Sequence, residues 1–248
     1  MKNKKILIIL SALLAAVLLA ALVLLVVMPA IHKNGYIARH GQETYDRLRN
    51  LSVGDYVTLG SYEQDNDKNN GAEPIQWLVL DVQPGKALLI SRYVLDCKPY
   101  SNTEADITWE KCYIRKWLNS DFFNTAFTES QQALILQTRV EPDKKEDHKT
   151  DTGPATNDRV FLLGYLEAER YFSGSEDRRC QATAYAKYRG VIAGVENGVC
   201  WWWLRSPGYS QTFASYVLLD GYAYAGGCRA YDDSVGVRPV ICIELPTA

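Results

Sequence analysis

The six cysteines are the side chains of this sequence that could most readily do covalent chemistry. Thiols bind metals, exchange electrons or join as disulfides, and their spacing helps to separate these uses. The chain has no Cys-x-x-Cys pair, and its three histidines, His32, His40 and His148, are not near the cysteines in sequence. The pattern therefore does not indicate a zinc site. We expect no metal and no cofactor.

Disulfides are the more typical use of an even number of cysteines in an exported chain. Six cysteines allow fifteen pairings, and the sequence does not choose among them. Their spacings form three sequential pairs, and we expect these as disulfides. The pairs are Cys97 with Cys112, Cys180 with Cys200, and Cys228 with Cys242.

Other catalytic patterns are weak in this sequence. It shows no nucleophile elbow, carboxylate dyad or Ser-His-Asp pattern, and His148 is alone in a charged loop. Asp65, Asp67 and Asn69 alternate as calcium-loop ligands do, but Gly71 falls one place late and no flanking helices fit. We expect a turn at this loop and a chain that is not an enzyme.

Three consecutive tryptophans in the stretch 200–210, CWWWLRSPGYS, could bind a ligand by stacking. Successive side chains of a strand point to opposite faces, so Trp201 and Trp203 share one face and Trp202 points to the other. Each tryptophan can bury about 150–250 Å², so at least one face should belong to a core. We expect Trp201 and Trp203 to be structural, and Trp202 to stack on a sugar or an aromatic group.

Hairpins and helices should position these side chains. The run 74–90 alternates in hydrophobicity around Pro84-Gly85, which predicts a hairpin with Trp77 in the core. Trp117 lies on the apolar stripe of a predicted helix. Asp220-Gly221 between two alternating runs is a strong signal of a second hairpin. A hairpin, central helices and a C-terminal antiparallel meander predict an α+β domain.

Two further segments carry expectations about packing. In the run 235–243, VGVRPVICI, the apolar residues should share one face, and Pro239 indicates an edge or a bulge. The charged run 141–158 should be a mobile, exposed loop. We expect Arg205 and Arg238 to be buried structural arginines, each paired with a carboxylate such as Asp220 or Asp232.

The N-terminal segment is unlike the rest of the chain. Its lysines precede an uncharged apolar run at 6–28, which is long enough to cross a hydrocarbon core of about 30 Å. A cleavable signal peptide has a shorter apolar region of about 7–15 residues, although cleavage remains the alternative. The positive-inside rule puts the N-terminus in the cytoplasm. The expected organisation is a cytoplasmic tail at 1–5, a transmembrane signal anchor at 6–28, a juxtamembrane stalk at 29–52 and an extracytoplasmic domain at 53–248.

The expected organisation is that of a single-pass protein of the cell membrane. The distribution of charge along the chain indicates which partners to expect. Three of the 27 basic residues precede the apolar run, so the remainder of the chain, which holds all 29 acidic residues, is acidic. A nucleic-acid surface would need clustered Lys and Arg. We therefore expect no nucleic-acid partner, and membrane contact through the N-terminal helix.

Several longer stretches resemble a bacterial domain family of unknown function. They are CWWWLRSPG at 200–208, VLLDGYAY at 217–224 and VGVRPVICIEL at 235–245, and the likeness covers roughly residues 53–245. The tryptophan strand and the GVRP strand are also similar to the C-type-lectin-like fold. Sulfatase-modifying enzymes and the variable binding proteins of diversity-generating retroelements use that fold. The resemblance implies a C-type-lectin-like scaffold, not a chemistry.

The resemblance also implies a location for a binding face. In the retroelement-diversified relatives of the fold, the face is built near the C-terminal strands, here residues 209–233. Tyrosines among small residues are typical of binding loops, because Tyr gives a large contact area at low entropic cost; a Tyr-rich structural meander is the alternative. Together with Trp202, the candidate binding residues are Tyr209, Tyr216, Tyr222, Tyr224, Tyr231 and Asp232.

Three functions remain open at this point. We expect a membrane-anchored module that binds an extracellular ligand, whether a glycan, a cell-wall fragment or a protein. The alternatives are an oxidoreductase of the sulfatase-modifying type with a reactive cysteine pair, and a structural envelope protein. Glu141-Pro142-Asp143 invites comparison with the calcium and sugar motif of true C-type lectins. It lies far upstream of the tryptophans and no Trp-Asn-Asp triplet accompanies it, so we assign it no role.

Overall fold

The structure, a computed structural model, describes residues 13–247. These residues divide into two compact units, one of residues 13–51 with 245–247 and one of Ser52–Glu244. The expected cytoplasmic tail at 1–5 and residues 6–12 of the expected membrane span lie outside the described residues, as does Ala248.

A long apolar helix, α1 (Leu13–His40), makes up most of the first unit. Its length and composition suit a membrane anchor or a signal sequence, and its leucine and valine side chains are exposed. Gly41 follows with φ of +85°, which glycine adopts without the penalty of a Cβ. A short helix, α2 (Gln42–Leu48), comes next, in the segment expected as a stalk.

The second unit contains strands and short helices. In chain order the strands are β1 (Tyr56–Tyr62), β2 (Glu73–Gln83), β3 (Lys86–Ser91), β4 (Asp96–Cys97), β5 (Thr138–Val140), β6 (Thr156–Asp158), β7 (Val160–Phe161), β8 (Trp202–Pro207), β9 (Phe213–Val217), β10 (Ala223–Arg229), β11 (Gly236–Val237) and β12 (Val240–Glu244). The helices are α3 (Tyr113–Trp117), α4 (Phe123–Ala126), α5 (Glu129–Leu134), α6 (Tyr165–Tyr171), α7 (Ser175–Arg178) and α8 (Ala184–Tyr188), with a π-helical turn (Leu118–Phe122) between α3 and α4.

Within residues 52–244 the strands form two larger sheets. The order of the first sheet is β1-β2-β3-β12-β7, and that of the second sheet is β10-β9-β8-β11-β4. Strands β5 and β6 pair separately. Neighbours are antiparallel except for the parallel pair of β11 and β8. The class is therefore mixed α+β with antiparallel sheets behind an apolar N-terminal helix.

Local signals in the sequence are reproduced in this fold. Strands β2 and β3 form the predicted hairpin, in which Gln83 pairs with Lys86 across the turn. Trp77 is fully buried, and its indole N–H donates to the carbonyl of Leu59 at 2.7 Å. Trp117 is buried at the end of α3, as its helical spacing predicted.

The C-terminal run 235–243 is not one strand, which corrects the expectation of a common face. Strand β11 pairs with β4 and β8 in the second sheet, whereas β12 pairs with β3 and β7 in the first. Pro239 stands between them and has no N–H for a ladder. Its carbonyl accepts from the Ser91 N–H at 2.9 Å. The run therefore joins the two sheets, and its apolar side chains are divided between them.

Candidate functional site

Trp202 is fully buried, so the expectation that it stacks on a ligand is wrong. Its indole N–H donates to the carbonyl of Arg178 at 3.1 Å. The Arg238 guanidinium lies 5.0 Å from the centre of its ring and 5.4 Å from that of Phe172, between the two. Segments remote in sequence therefore cover this face of β8, and strand alternation alone does not reveal them.

Trp201 and Trp203 belong to the opposite face, as alternation predicted. Trp203 is buried, donates its indole N–H to the carbonyl of Lys98 at 2.9 Å and meets the ring of Tyr100 at 5.8 Å. Trp201, which we expected to be structural, is only half-buried and packs edge-on against Tyr216 at 5.2 Å. Of the three tryptophans, Trp201 is the one that solvent reaches.

A row of aromatic rings crosses the second sheet from Trp203. Tyr216 pairs with Trp203 on one side and with Tyr224 on the other. The rings of Tyr216 and Tyr224 are 5.9 Å apart and nearly perpendicular. Tyr224 is 39% exposed and lies over Gly226, where an added Cβ would meet its ring at 2.7 Å. We had expected Tyr216 to contact a ligand. It is buried, so it supports its neighbours and does not offer its own face to a ligand.

Two polar groups accompany these rings. Burial, the largest cause, and then the neighbouring Cys228, Tyr224 and Asp232 raise the pKa of Tyr216 to about 12. Burial and Asp232 raise the pKa of the Cys228 thiol to about 12. The phenol and the thiol are therefore neutral at pH 7. We call this surface the aromatic face, and its members are Trp201, Tyr216, Tyr224, Cys228 and Asp232.

The remaining candidate tyrosines have other surroundings. Tyr209 is exposed and packs against Phe213 at 4.9 Å. Tyr222 is exposed beside the tip of the hairpin. It lies near Tyr165, whose pKa is raised first by burial, then by Glu169 and then by Tyr222. Tyr231 is half-buried, with the Arg229 guanidinium 5.8 Å from its ring centre. Of the predicted residues, the structure thus brings together Tyr216, Tyr224 and Asp232.

All six cysteines lie among the described residues and all are thiols, which corrects the prediction of three disulfides. Their positions give the reason. Cys228 is in the second sheet and Cys242 is in the first. The thiol of Cys97 donates to the carbonyl of Asp233 at 3.0 Å, and that of Cys112 to the carbonyl of Trp109 at 3.1 Å.

Cys180 and Cys200 differ from the other two predicted pairs, because their backbones are neighbours. The Cys200 N–H donates to the Cys180 carbonyl at 2.9 Å. Both side chains are buried, and burial raises the pKa of each thiol. A buried thiol of raised pKa is the opposite of a reactive cysteine, which is exposed and readily ionised.

The two arginines are buried as expected, but their partners are different. Arg205 is paired with Glu167, not with Asp220 or Asp232, and both oxygens of the carboxylate accept from its guanidinium, one at 2.9 Å. Arg238 is held by the Ser91 carbonyl at 3.0 Å and by its two aromatic neighbours. Its Nη1 atom has no hydrogen-bond partner within residues 13–247.

Asp143 has a structural role that the sequence did not indicate. Its carboxylate accepts from the N–H groups of Leu166 (3.1 Å) and Glu167 (3.3 Å), and so caps α6. It also accepts from the Ser206 hydroxyl at 2.7 Å. Gly164 leaves room for it, since a Cβ there would meet Asp143 at 2.3 Å. The loop 141–158 is therefore anchored at this residue, contrary to the expectation of a wholly exposed segment.

A group of carboxylates near the first hairpin could hold a cation. Oxygens of Glu63, Asp65 and Glu73 lie within 4.8 Å of one another. Glu73 also accepts from the N–H groups of Gln64 (2.6 Å) and Asp65 (3.2 Å), which closes the loop between β1 and β2. The alternating pattern from Asp65 had drawn attention to this loop, but not to Glu63 and Glu73.

Comparison with known proteins places the chain in a family. No curated protein and no solved structure matches it. A model of the DUF6273 domain of unknown function matches residues 84–245, which include every member of the aromatic face. Because the match covers more than half of the chain, this protein belongs to the DUF6273 family.

Proposed function

We propose that this protein is a membrane-anchored, non-catalytic module that binds a glycan outside the cytoplasm on its aromatic face. The observation that carries the proposal is the pair of partly exposed rings, Trp201 and Tyr224, on either side of Tyr216. All three are fixed on strands or beside one. Rigid elements hold a binding geometry better than loops do.

The chemistry of the face suits a sugar. An aromatic ring presents an apolar surface with a polar handle, which matches the apolar faces and hydroxyl edges of a sugar ring. Asp232 adds a carboxylate that can accept from hydroxyl groups. The neutral Tyr216 phenol and Cys228 thiol add no further charge. A cell-wall fragment is the form of glycan that such a module would meet at a bacterial surface.

Separate observations support the proposed scaffold and topology. The tryptophan strand β8 lies in the middle of the second sheet, and the GVRP segment joins the two sheets. This arrangement supports a C-type-lectin-like fold. The apolar α1 supports an anchor, and the lysines before it support a cytoplasmic N-terminus with an extracytoplasmic domain.

The alternative functions lack an observation of this kind. An oxidoreductase of the sulfatase-modifying type would need two accessible thiols in a cleft, whereas Cys180 and Cys200 are 3% and 0% exposed. A structural envelope protein would not need partly exposed rings of tryptophan and tyrosine side by side. We therefore prefer the binding function.

The test is a binding screen of the full-length chain in detergent against immobilised glycans and cell-wall fragments. We expect binding that Trp201→Ala and Tyr224→Ala each weaken at least about tenfold, as for aromatic anchors of an interface. Tyr188→Ala is the matched control, because Tyr188 is 68% exposed on α8. Equal binding by all four proteins, or no binding to any glycan, would refute the proposal.

A further inference from the structure

A cavity of about 170 Å³ lies over the first sheet. An engineered protein cavity of about 150 Å³ holds benzene, so this one has room for a small organic molecule. Strands β2, β3, β7 and β12 contribute to its lining, and β5 and α6 supply the remaining walls. The aromatic face belongs to the second sheet, so the cavity is a separate feature.

The floor of the cavity combines apolar side chains with polar ones. Leu88 pairs with Asp81 on one side and with Cys242 on the other, so these three side chains form a row on one face of the sheet. Phe161 is buried beside them on β7. Burial is the main cause that raises the pKa of the Cys242 thiol, so this side chain is a neutral part of the wall.

Opposite charges stand at the edge of this floor. Lys86 pairs with Gln83, two residues from Asp81, so Lys86 and Asp81 are diagonal neighbours, about 7–8 Å apart at their backbones. No hydrogen bond or ion pair within residues 13–247 engages the Lys86 ammonium. Asp81 accepts from the Gln83 amide at 2.7 Å and retains further lone pairs.

The other two charged groups of the lining are already paired. Glu167 is held by Arg205, and Arg139 by Glu141 at 2.6 Å. Glu244 lies opposite Lys86 across the sheet but does not line the cavity. Of the charged groups of the lining, the Lys86 ammonium and the Asp81 carboxylate therefore remain for a ligand, and they have opposite signs. A molecule that carries a single charge would satisfy one of them and leave the other unmatched.

We propose that this cavity binds a small zwitterion, namely a free α-amino acid with an apolar side chain. Its carboxylate pairs with Lys86, its ammonium pairs with Asp81, and its side chain packs on Leu88 and Phe161. Tyr171 of α6 also lines the cavity, and its hydroxyl can reach the ligand. The proposal does not depend on glycan binding, because it uses the other sheet.

Calorimetry and thermal unfolding of the full-length chain in detergent test this proposal with L-leucine as the probe. We expect L-leucine to bind and to raise the melting temperature, while N-acetyl-L-leucine and L-leucinamide, which each lack one charge, bind at least about tenfold more weakly. Lys86→Met should weaken leucine binding to a similar extent. Lys68→Met is the matched control, since Lys68 is exposed in the loop after β1.

Chemical labelling gives a readout that does not need a folded variant. A small thiol reagent, methyl methanethiosulfonate, should label Cys242 more slowly when leucine is bound, while the labelling of Cys228 on the second sheet stays the same. Peptide mass mapping distinguishes the two cysteines. No binding of leucine to the natural chain, equal binding of its derivatives, or unchanged labelling of Cys242 with leucine bound would each overturn the proposal.

Discussion

At the scale of single residues, Arg205 is the buried charge on which the packing around the tryptophan strand depends. Its guanidinium is 3% exposed and is paired with Glu167 on α6. Asp143 caps the same helix and also accepts from Ser206, the neighbour of Arg205 on β8. These contacts tie β8 and α6 to the loop that follows β5.

Breaking the ion pair between Arg205 and Glu167 should cost more stability than breaking an ion pair on the surface. Glu167→Gln should lower the free energy of unfolding by about 2–3 kcal/mol, because it leaves Arg205 buried without its counter-charge. The value falls below that of a fully buried pair, since Glu167 is 31% exposed. Arg139→Gln breaks an exposed pair and should change stability by less than about 0.5 kcal/mol. Urea unfolding measures both, and equal losses would contradict the assignment.

The cap on α6 gives a second prediction. Asp143→Ala should lower the free energy of unfolding by about 1–2 kcal/mol, because two helix N–H groups and the Ser206 hydroxyl lose their acceptor. Asp106→Ala is the control, since Asp106 is exposed. Thermal unfolding compares the variants, and a melting temperature of Asp143→Ala equal to that of the control would argue against a cap.

The sequence indicated which residues are buried more readily than what they contact. Arg205 and Arg238 were expected to be buried, and they are. Their partners, Glu167 for the first and the ring of Trp202 for the second, lie about 35–40 residues away along the chain. Such pairings arise from tertiary packing, and no local pattern encodes them.

At the scale of elements, adjacent glycines in β10 have different tasks. Gly227 has φ of +76°, and a Cβ there would meet the Ala214 carbonyl oxygen at 2.5 Å. The three atoms nearest to a Cβ on Gly226 all belong to the Tyr224 side chain, which is 39% exposed and can swing into solvent. The backbone conformation therefore requires glycine at position 227, whereas the aromatic face requires glycine at position 226.

This difference predicts opposite outcomes for two similar substitutions. Gly227→Ala should lower the free energy of unfolding by about 1–3 kcal/mol, from backbone strain and overpacking. Gly226→Ala should leave stability within about 0.5 kcal/mol and weaken glycan binding, because it displaces Tyr224. Denaturant unfolding and a binding assay on both variants check this. A severe loss of stability in Gly226→Ala would show that the glycine serves the fold and not the face.

Local elements were predictable where their signals were local. The Pro84-Gly85 and Asp220-Gly221 turns both form as predicted. Alternation correctly separated Trp202 from Trp201 and Trp203. It could not tell which face would be covered, because Arg238 and Phe172 come from other segments. The sequence around Pro239 likewise did not reveal that β11 and β12 belong to different sheets, because their partner strands come from other segments.

At the scale of the whole molecule, thiols that are buried or half-buried make stability depend on pH. Burial is the largest cause that raises the pKa of Cys97, Cys112 and Cys228, each to about 12 from an ordinary value of 9.0. A raised pKa means that the folded state holds its protons more tightly than the unfolded state. This contribution is fully present below pH 9 and is lost as the pH rises towards 12.

The free energy of unfolding should therefore fall steadily between about pH 9 and pH 12. Cys228→Ser should flatten the decline, because it removes one of the titrating groups from the second sheet. Urea unfolding at a series of pH values measures the slope. A stability that stays constant from pH 8 to pH 11 would mean that these thiols are not buried as the structure has them.

The measurement that tests the central proposal most directly is hydroxyl-radical footprinting of the full-length chain, with and without a bound cell-wall glycan. We predict that the glycan protects Trp201 and Tyr224, while the exposed rings of Tyr56 and Tyr188 are oxidised at unchanged rates. Protection confined to other residues, with Trp201 and Tyr224 unaffected, would contradict a ligand site on the aromatic face.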